Sequence, residues 1–357
     1  MNLRNTKKIV IASIFVLLCA TTVFAAKKPA KPKAEPMPDW VTNPGDVYPS
    51  ANFFAQVGYD KDRTTSELKA CESISSIFSQ SVKSTTKASS RMVQAESEGY
   101  VSTAKTSTLS QDITREVDQA NLIGVEIKGA WFSPKEEVWY SIAVLDKQKA
   151  TDIYTQMIKK NVEHINTLLG YQTDDQYSFE VFAIYDFCQE IAALNEANLE
   201  RLAVINTNAS AKLKPICQSS KDLKLKALDI AKQIPIATVV EGDIDGRVRA
   251  AFASAITKEG FRSSDNPNER YVLNLKVVWT ITKASDGKTT RCDYSITGGL
   301  NDNGLAEELM PVSIKNRGSD VDDLRAQQKA LMNIEKKDVG DKFAKSFEKY
   351  LKSITVE

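Results

Sequence analysis

The apolar positions of this chain switch repeatedly between a spacing of two and a spacing of three to four, and each switch marks an element. FFAQVGY, at residues 53–59, predicts a short buried strand. Leu68, Cys71, Ile74, Ile77, Phe78 and Val82 then recur at helical spacing, with Thr64 or Thr65 placed to cap the helix and Glu67 in its first turn. Residues 79–110 are rich in Ser, Thr and Lys, and their sparse apolar positions, Val93, Tyr100, Val101 and Leu109, fit a polar hairpin, a helix or a loop. A short helix is predicted over 113–120. Two strands follow, LIGVEIKGAWFS and EVWYSIAVL, joined by a turn at Pro134 and Lys135.

Residues 147–233 read as helical. Ile153, Met157, Ile158, Val162, Ile165 and Leu169 form one stripe, and Val181, Tyr185, Cys188, Ile191, Leu194, Leu199 and Leu202 form the next. Pro215 interrupts, after which Leu223, Ala227, Leu228 and Ala231 resume the pattern. Such a pair of stripes predicts an antiparallel helical hairpin linking two domains. From residue 234 onward the chain holds a complete set of elements. IPIATVV is a strand, EGDIDG a turn, and Val248, Phe252, Ala255 and Ile256 one face of a helix that stops at Gly260 before Phe261. YVLNLKVVWTIT and TTRCDYSITGGL are strands around a turn at Ser285, Asp286 and Gly287, ELMPVSIK is a third, and one long helix spans about 321–351. The expected class is α+β: an N-terminal α/β domain over 38–155, a helical connector over 156–233, and a small C-terminal α+β domain over 234–357 whose sheet is backed by helices. No repeat of solenoid period is present.

The N-terminus adds an address. Arg4, Lys7 and Lys8 run into the apolar stretch IVIASIFVLLCATTVFA, and Val23 and Ala25 place small side chains where a signal peptidase needs them. Residues 1–25 therefore read as a signal peptide cut after Ala25, with an apolar run shorter than the ~20 residues of a spanning helix. Acylation at Cys19, giving an outer-membrane lipoprotein, is the weaker alternative because bulky Leu18 precedes it. AKKPAKPKAEPM, at 26–37, reads as an extended Lys/Pro/Ala tether. The expected location is the periplasm. At 42% hydrophobic and 26% charged the chain has ample material for folded cores, and 47 basic against 46 acidic residues, a net charge of +1, exert no global pull on nucleic acid or an anionic membrane.

Pro38, Trp40 and Val41, then the strand with Phe53, Phe54, Val57 and Gly58, then an amphipathic helix and the aromatic strands GAWFS and EVWYSIAVLDKQKA, together resemble the LPP20-type bacterial envelope proteins. The resemblance covers residues 38–154 and implies a scaffold in outer-membrane or flagellar assemblies rather than a catalyst. The sequence departs from that family in lacking a good lipid-attachment site. The C-terminal part is similar, in architecture alone, to small α/β modules of periplasmic assembly proteins.

Candidate chemistry is sparse. The single histidine, His164, sits in a helical run and is expected on an exposed helix surface; one histidine cannot build the usual zinc site or serve a spare-ligand relay. No GxSxG elbow, Walker loop or dinucleotide fingerprint occurs. Glu241, Asp243 and Asp245 in EGDIDG lack the further oxygen ligands of a calcium loop, so a polar turn with Asp243 or Asp245 capping the next helix is expected. No catalytic, metal or cofactor residues are assigned, and no enzyme activity is expected. Of the four cysteines after the signal, Cys71 and Cys292 lie on apolar faces, while Cys188 and Cys217 are placed to bridge in an oxidising compartment. Trp40, Trp131, Phe132 and Trp139 are candidate interaction aromatics or core residues. These features point to an envelope scaffold or assembly protein that contacts envelope proteins and itself, with a peptidoglycan- or glycan-binding module as the alternative and a hydrolase behind both.

Overall fold

The computed structural model describes residues 36–78, 123–171 and 174–354. The signal peptide, Cys19, tether residues 26–35, the polar stretch from 79 and the helix expected over 113–120 lie outside the described residues. The structure is α+β, with two sheets and several helices.

Two single-turn helices, α1 (Asp39–Thr42) and α2 (Pro44–Val47), lead into β1 (Phe53–Asp60) and α3 (Arg63–Ser76). β2 (Val125–Ser133) and β3 (Val138–Asp146) complete an antiparallel sheet of order β1-β3-β2. Central β3 explains its apolar run: Ile142, Ala143, Val144 and Leu145 are buried. Gly58, paired with Ser141, lets α3 lie directly on the sheet, because a Cβ there would stand 2.3 Å from the Ser66 carbonyl oxygen. The contact is sealed by a buried Ser66 Oγ to Ser141 Oγ hydrogen bond of 2.6 Å. The α3 cap is neither threonine but Asp62, whose Oδ2 accepts from the Thr65 N–H at 2.8 Å. A carboxylate fills that role with charge as well as hydrogen bonding, since it faces the positive end of the helix.

The expected hairpin is present with more around it. α4 (Lys147–Leu169) and α5 (Phe179–Ile205) are followed by α6 (Thr207–Leu213), a 3₁₀ turn (Lys214–Ile216) at Pro215, and α7 (Ser220–Gln233). Asp146, Ser178, Asn206 and Ser219 cap the four α-helices with side-chain oxygens. Ile165 of α4 meets Ile184 and Cys188 near the start of α5, while Tyr154 and Ile158 share a cluster with Leu199 and Leu202 near its end, so the two run antiparallel. Between them Asn161 Nδ2 donates to Asn195 Oδ1 at 3.1 Å, and Asn195 donates on to the Ile158 carbonyl. α5 belongs to all three apolar cores: Phe179 and Phe182 to the C-terminal one, Ile184 to Leu194 to the helical one, and Leu199, Leu202 and Ile205 to that of the small sheet.

The second sheet, of order β5-β4-β6-β7-β8, is mixed: β4 (Pro235–Glu241) is parallel to β5 (Arg262–Ser264) and β6 (Tyr271–Lys283), and the long antiparallel β6, β7 (Thr290–Asp302) and β8 (Glu307–Asp320) follow. Gly287, at φ +62°, takes the left-handed turn between β6 and β7, and Asp286 accepts from the Lys288 and Thr289 N–H groups at 2.9 Å. α8 (Arg247–Lys258) covers one sheet face, starting where Asp243 accepts from the Val248 and Arg249 N–H groups at 2.9 Å each. The single C-terminal helix expected over 321–351 is instead α9 (Asp323–Asn333), a π-helix (Ile334–Phe343) and α10 (Ala344–Ser353). Edge strand β8 extends past the apolar ELMPVSIK and is closed to further pairing at Arg317, whose N–H goes to Asn316 Oδ1 at 2.9 Å and whose carbonyl accepts from Asn333 Nδ2 at 2.8 Å. Pro311 adds a position with no donor, a common protection of sheet edges.

Candidate interaction surface

The four aromatics expected to act together are divided by the small sheet. Trp131 and Phe132 are neighbours in a strand and must point to opposite faces. On the α3 face, Phe132 is 40% exposed and lies 5.4 Å, centroid to centroid, from Trp139, over which the Arg63 guanidinium stands at 5.5 Å. On the other face Trp40 covers Gly129, where a Cβ would come 3.4 Å from its ring. Trp131 on that face sits 5.9 Å from Tyr140, and Tyr140 sits 5.9 Å from Tyr59. The register places Tyr59, Tyr140 and Trp131 directly across β1, β3 and β2, and Tyr59 is 62% exposed. Neither tyrosine was singled out by the sequence reading, although the strand pairing of the two aromatic segments brings them beside Trp131. Tyr140 Oη donates to Glu136 Oε2 at 2.7 Å, and this carboxylate holds the phenol above its ordinary pKa. The row offers ring faces and a fixed acidic acceptor beside its middle ring.

The expected Cys188–Cys217 bridge is corrected: both are free thiols. Cys188 is fully buried in the helical core, its Sγ facing the Ile165 carbonyl at 4.0 Å, and burial pushes the thiol up to about 12. Cys217 follows the 3₁₀ turn, donates to the Leu213 carbonyl at 3.5 Å and packs against the core of the small sheet instead. Cys71 and Cys292 are free as well, with Cys292 buried among C-terminal apolar residues. His164 is half-buried rather than exposed on α4. Glu241 pairs with Lys276 at 2.7 Å while Asp243 caps α8, so EGDIDG is a capped turn. Among the described residues no group of three or more His, Cys, Asp or Glu side chains is placed to hold a metal ion.

The buried charge of the C-terminal sheet is structural. Asp338, fully buried in the π-helix, accepts from Tyr294 Oη, from Asn316 Nδ2 at 3.2 Å and from Lys342 Nζ at 3.0 Å. Burial, and then this carboxylate, holds the Tyr294 phenol far above its ordinary pKa. Asp338→Ala would strand the buried Tyr294 hydroxyl and take the acceptor from the half-buried Asn316 amide, and is expected to cost about 3 kcal/mol, read as a lowered urea midpoint with unchanged slope. Arg270 is the second such point. It forks onto Asp302 with bonds of 2.8 to 3.0 Å and reaches Asp175 in the segment before α5.

The molecule is thus an α+β protein whose described residues include no helix long and apolar enough to cross a membrane. No family model matches the chain, and no curated protein does. Among solved structures it is similar to a minor lipoprotein of Acinetobacter baumannii, at 13% identity over 32% of this chain and 91% of that one, with a TM-score of 0.26. It is also similar to a secreted protein of the human pathogen Helicobacter pylori, at 15% identity over 85% of this chain and 99% of that one, with a TM-score of 0.38.

Proposed function

We propose that this chain is an exported protein of the bacterial cell envelope that works without catalysis, as a scaffold or assembly factor contacting other envelope proteins. The observation that carries this reading is the Tyr59, Tyr140 and Trp131 row on one face of the small sheet. Aromatic rings give large contact area at little entropy cost and are enriched where proteins meet. The N-terminal sequence supports the address, with release into the periplasm after Ala25 and acylation at Cys19 as the alternative, and the LPP20-type opening supports outer-membrane or flagellar assemblies as its setting. A peptidoglycan or other glycan strand is the second reading, favoured by the Glu136 carboxylate beside Tyr140, because a sugar asks for a ring face and a hydroxyl acceptor together.

A photo-activatable residue at position 140, in intact cells, tests the choice. Discrete protein adducts lost on Trp131→Ala support the scaffold. Absence of adducts, with co-sedimentation on purified sacculi that Trp131→Ala abolishes, overturns it in favour of the glycan. Mass measurement of the mature N-terminus distinguishes an unmodified Ala26 from an acylated Cys19.

A further inference from the structure

The face of the C-terminal sheet turned away from its helices carries an inference independent of what the aromatic row contacts. We infer that it holds a binding site for a phosphorylated sugar, met as a unit of an envelope glycan; only the source of that sugar rests on the reading of an exported protein.

Strand alternation separates the two faces of β6, β7 and β8. Val277, Ile296 and Ile314, side by side in the register, are buried toward the helices. Gly318 lets α9 lie on that same face, because a Cβ there would stand 2.2 Å from the Ala330 nitrogen. The rows Val278, Ser295, Lys315 and Thr280, Asp293, Arg317 therefore point the other way. Lys276 and Arg291 stand on this face too, each two positions along its strand. Against these cations are two carboxylates: Lys276 pairs with Glu241 of β4 at 2.7 Å, and Arg317 Nε with Asp293 at 3.4 Å. Among the described residues Arg291 and Lys315 make no ion pair, so the face is positive on a chain whose net charge is only +1.

Between those two rows lies an open depression of about 420 Å³ whose lining includes Val278, Thr280, Asp293, Ser295, Lys315 and Arg317. Each suits one part of a phosphorylated sugar. Lys315 supplies a positive charge and donors for the phosphate, and Arg317, whose contact with Asp293 runs through Nε, keeps its terminal nitrogens for the same group. Asp293 can only accept, and so takes a sugar hydroxyl, while the Thr280 and Ser295 hydroxyls donate or accept as the ring requires. Val278, 49% exposed among polar neighbours, offers an apolar contact to the C–H face of a sugar ring. A bare phosphate would meet the cations but be repelled by Asp293. The carboxylate therefore selects a ligand that carries hydroxyls beside its charge.

Amide NMR shifts of the isotope-labelled mature chain, titrated with glucose 6-phosphate, glucose and inorganic phosphate, test the site. The sugar phosphate is expected to move the amides of Val278, Ser295 and Lys315 and to bind more tightly than either of its parts. Lys315→Ala, at an exposed position, should weaken that binding about tenfold. Asp293→Asn should abolish the preference over inorganic phosphate. Lys276→Ala, a cation of the same face outside the depression, should leave binding unchanged. Trp131→Ala should do so as well, which keeps failure of this site distinct from failure of the aromatic row. Immobilised lipopolysaccharide should retain the chain, and the same material freed of phosphate should not. Amides that stay still with every probe overturn the inference. So does inorganic phosphate bound as tightly as the sugar phosphate, an equal loss in Lys276→Ala, or retention indifferent to dephosphorylation.

Discussion

Valine in place of Gly58 is expected to lift α3 off the small sheet and to destabilise the protein by about 3 kcal/mol or more. The cause is local and hard. A Cβ at this position would lie 2.3 Å from the Ser66 carbonyl oxygen and 2.4 Å from the Ala70 nitrogen, and both are backbone atoms of a helix that cannot bend away singly. Moving α3 would also break the buried Ser66–Ser141 bond and open the cluster of Ala70, Ile74 and Phe78. Gly45→Ala is the matched control, since a Cβ there meets nothing within 4 Å. Urea unfolding followed by circular dichroism compares the two. A Gly58→Val protein with the parent midpoint would show that α3 does not rest on the strand.

The second large effect belongs to Phe179, at the start of α5. Its ring, 3% exposed, lies 4.1 Å from Tyr271 and 5.3 Å from Phe261, and its N–H donates to Tyr271 Oη at 3.3 Å. Phe179→Ala should cost about 4 kcal/mol, because the rings of the sheet cannot collapse into the space. Phe132→Ala, on a side chain already 40% exposed, should cost under about 1 kcal/mol, and thermal melting of the pair makes the comparison. Tyr271 also makes this junction sensitive to alkali. Burial pushes its phenol from 10.0 up to about 12, so the folded state favours the protonated form. That contribution is complete below pH 10.0 and is lost as pH rises toward about 12. Loss of the Phe179 ring should bring the alkaline transition to lower pH.

Much of the fold was legible because burial writes a simple rhythm. FFAQVGY, EVWYSIAVL and YVLNLKVVWTIT became β1, β3 and β6 with little change at their ends. The rhythm failed where another force decided. The α9-to-α10 segment looked like one helix, yet Ala326, Ala330 and Ile334 are followed by a five-residue step to Val339 before Phe343, Phe347 and Leu351 resume by fours. The π-helix absorbs that step and so buries both Val339 and the carboxylate of Asp338. β8 outran its apolar run because Asn316 is held by Asp338 and Arg317 by Asn333, polar pairings that leave no hydrophobic signature. The cysteines misled for a related reason: adjacency to helix ends does not say which core a side chain enters, and Cys188 and Cys217 enter different ones. Of the candidate surface, the separation of Trp131 from Phe132 was available from the strand period alone, whereas Tyr59 and Tyr140 join Trp131 only through strand register.

α5 sets how this chain can change. A helix of 27 residues spans roughly 40 Å, and here three separate stretches of it line three different cores. A one-residue insertion within it would turn every later side chain by roughly 100° and remove Leu199, Leu202 and Ile205 from the small sheet while leaving Phe179 in place. Its length is therefore a fixed dimension of the molecule, like the axle of a gear train, and insertions are expected to be accommodated in the loops around it rather than within it.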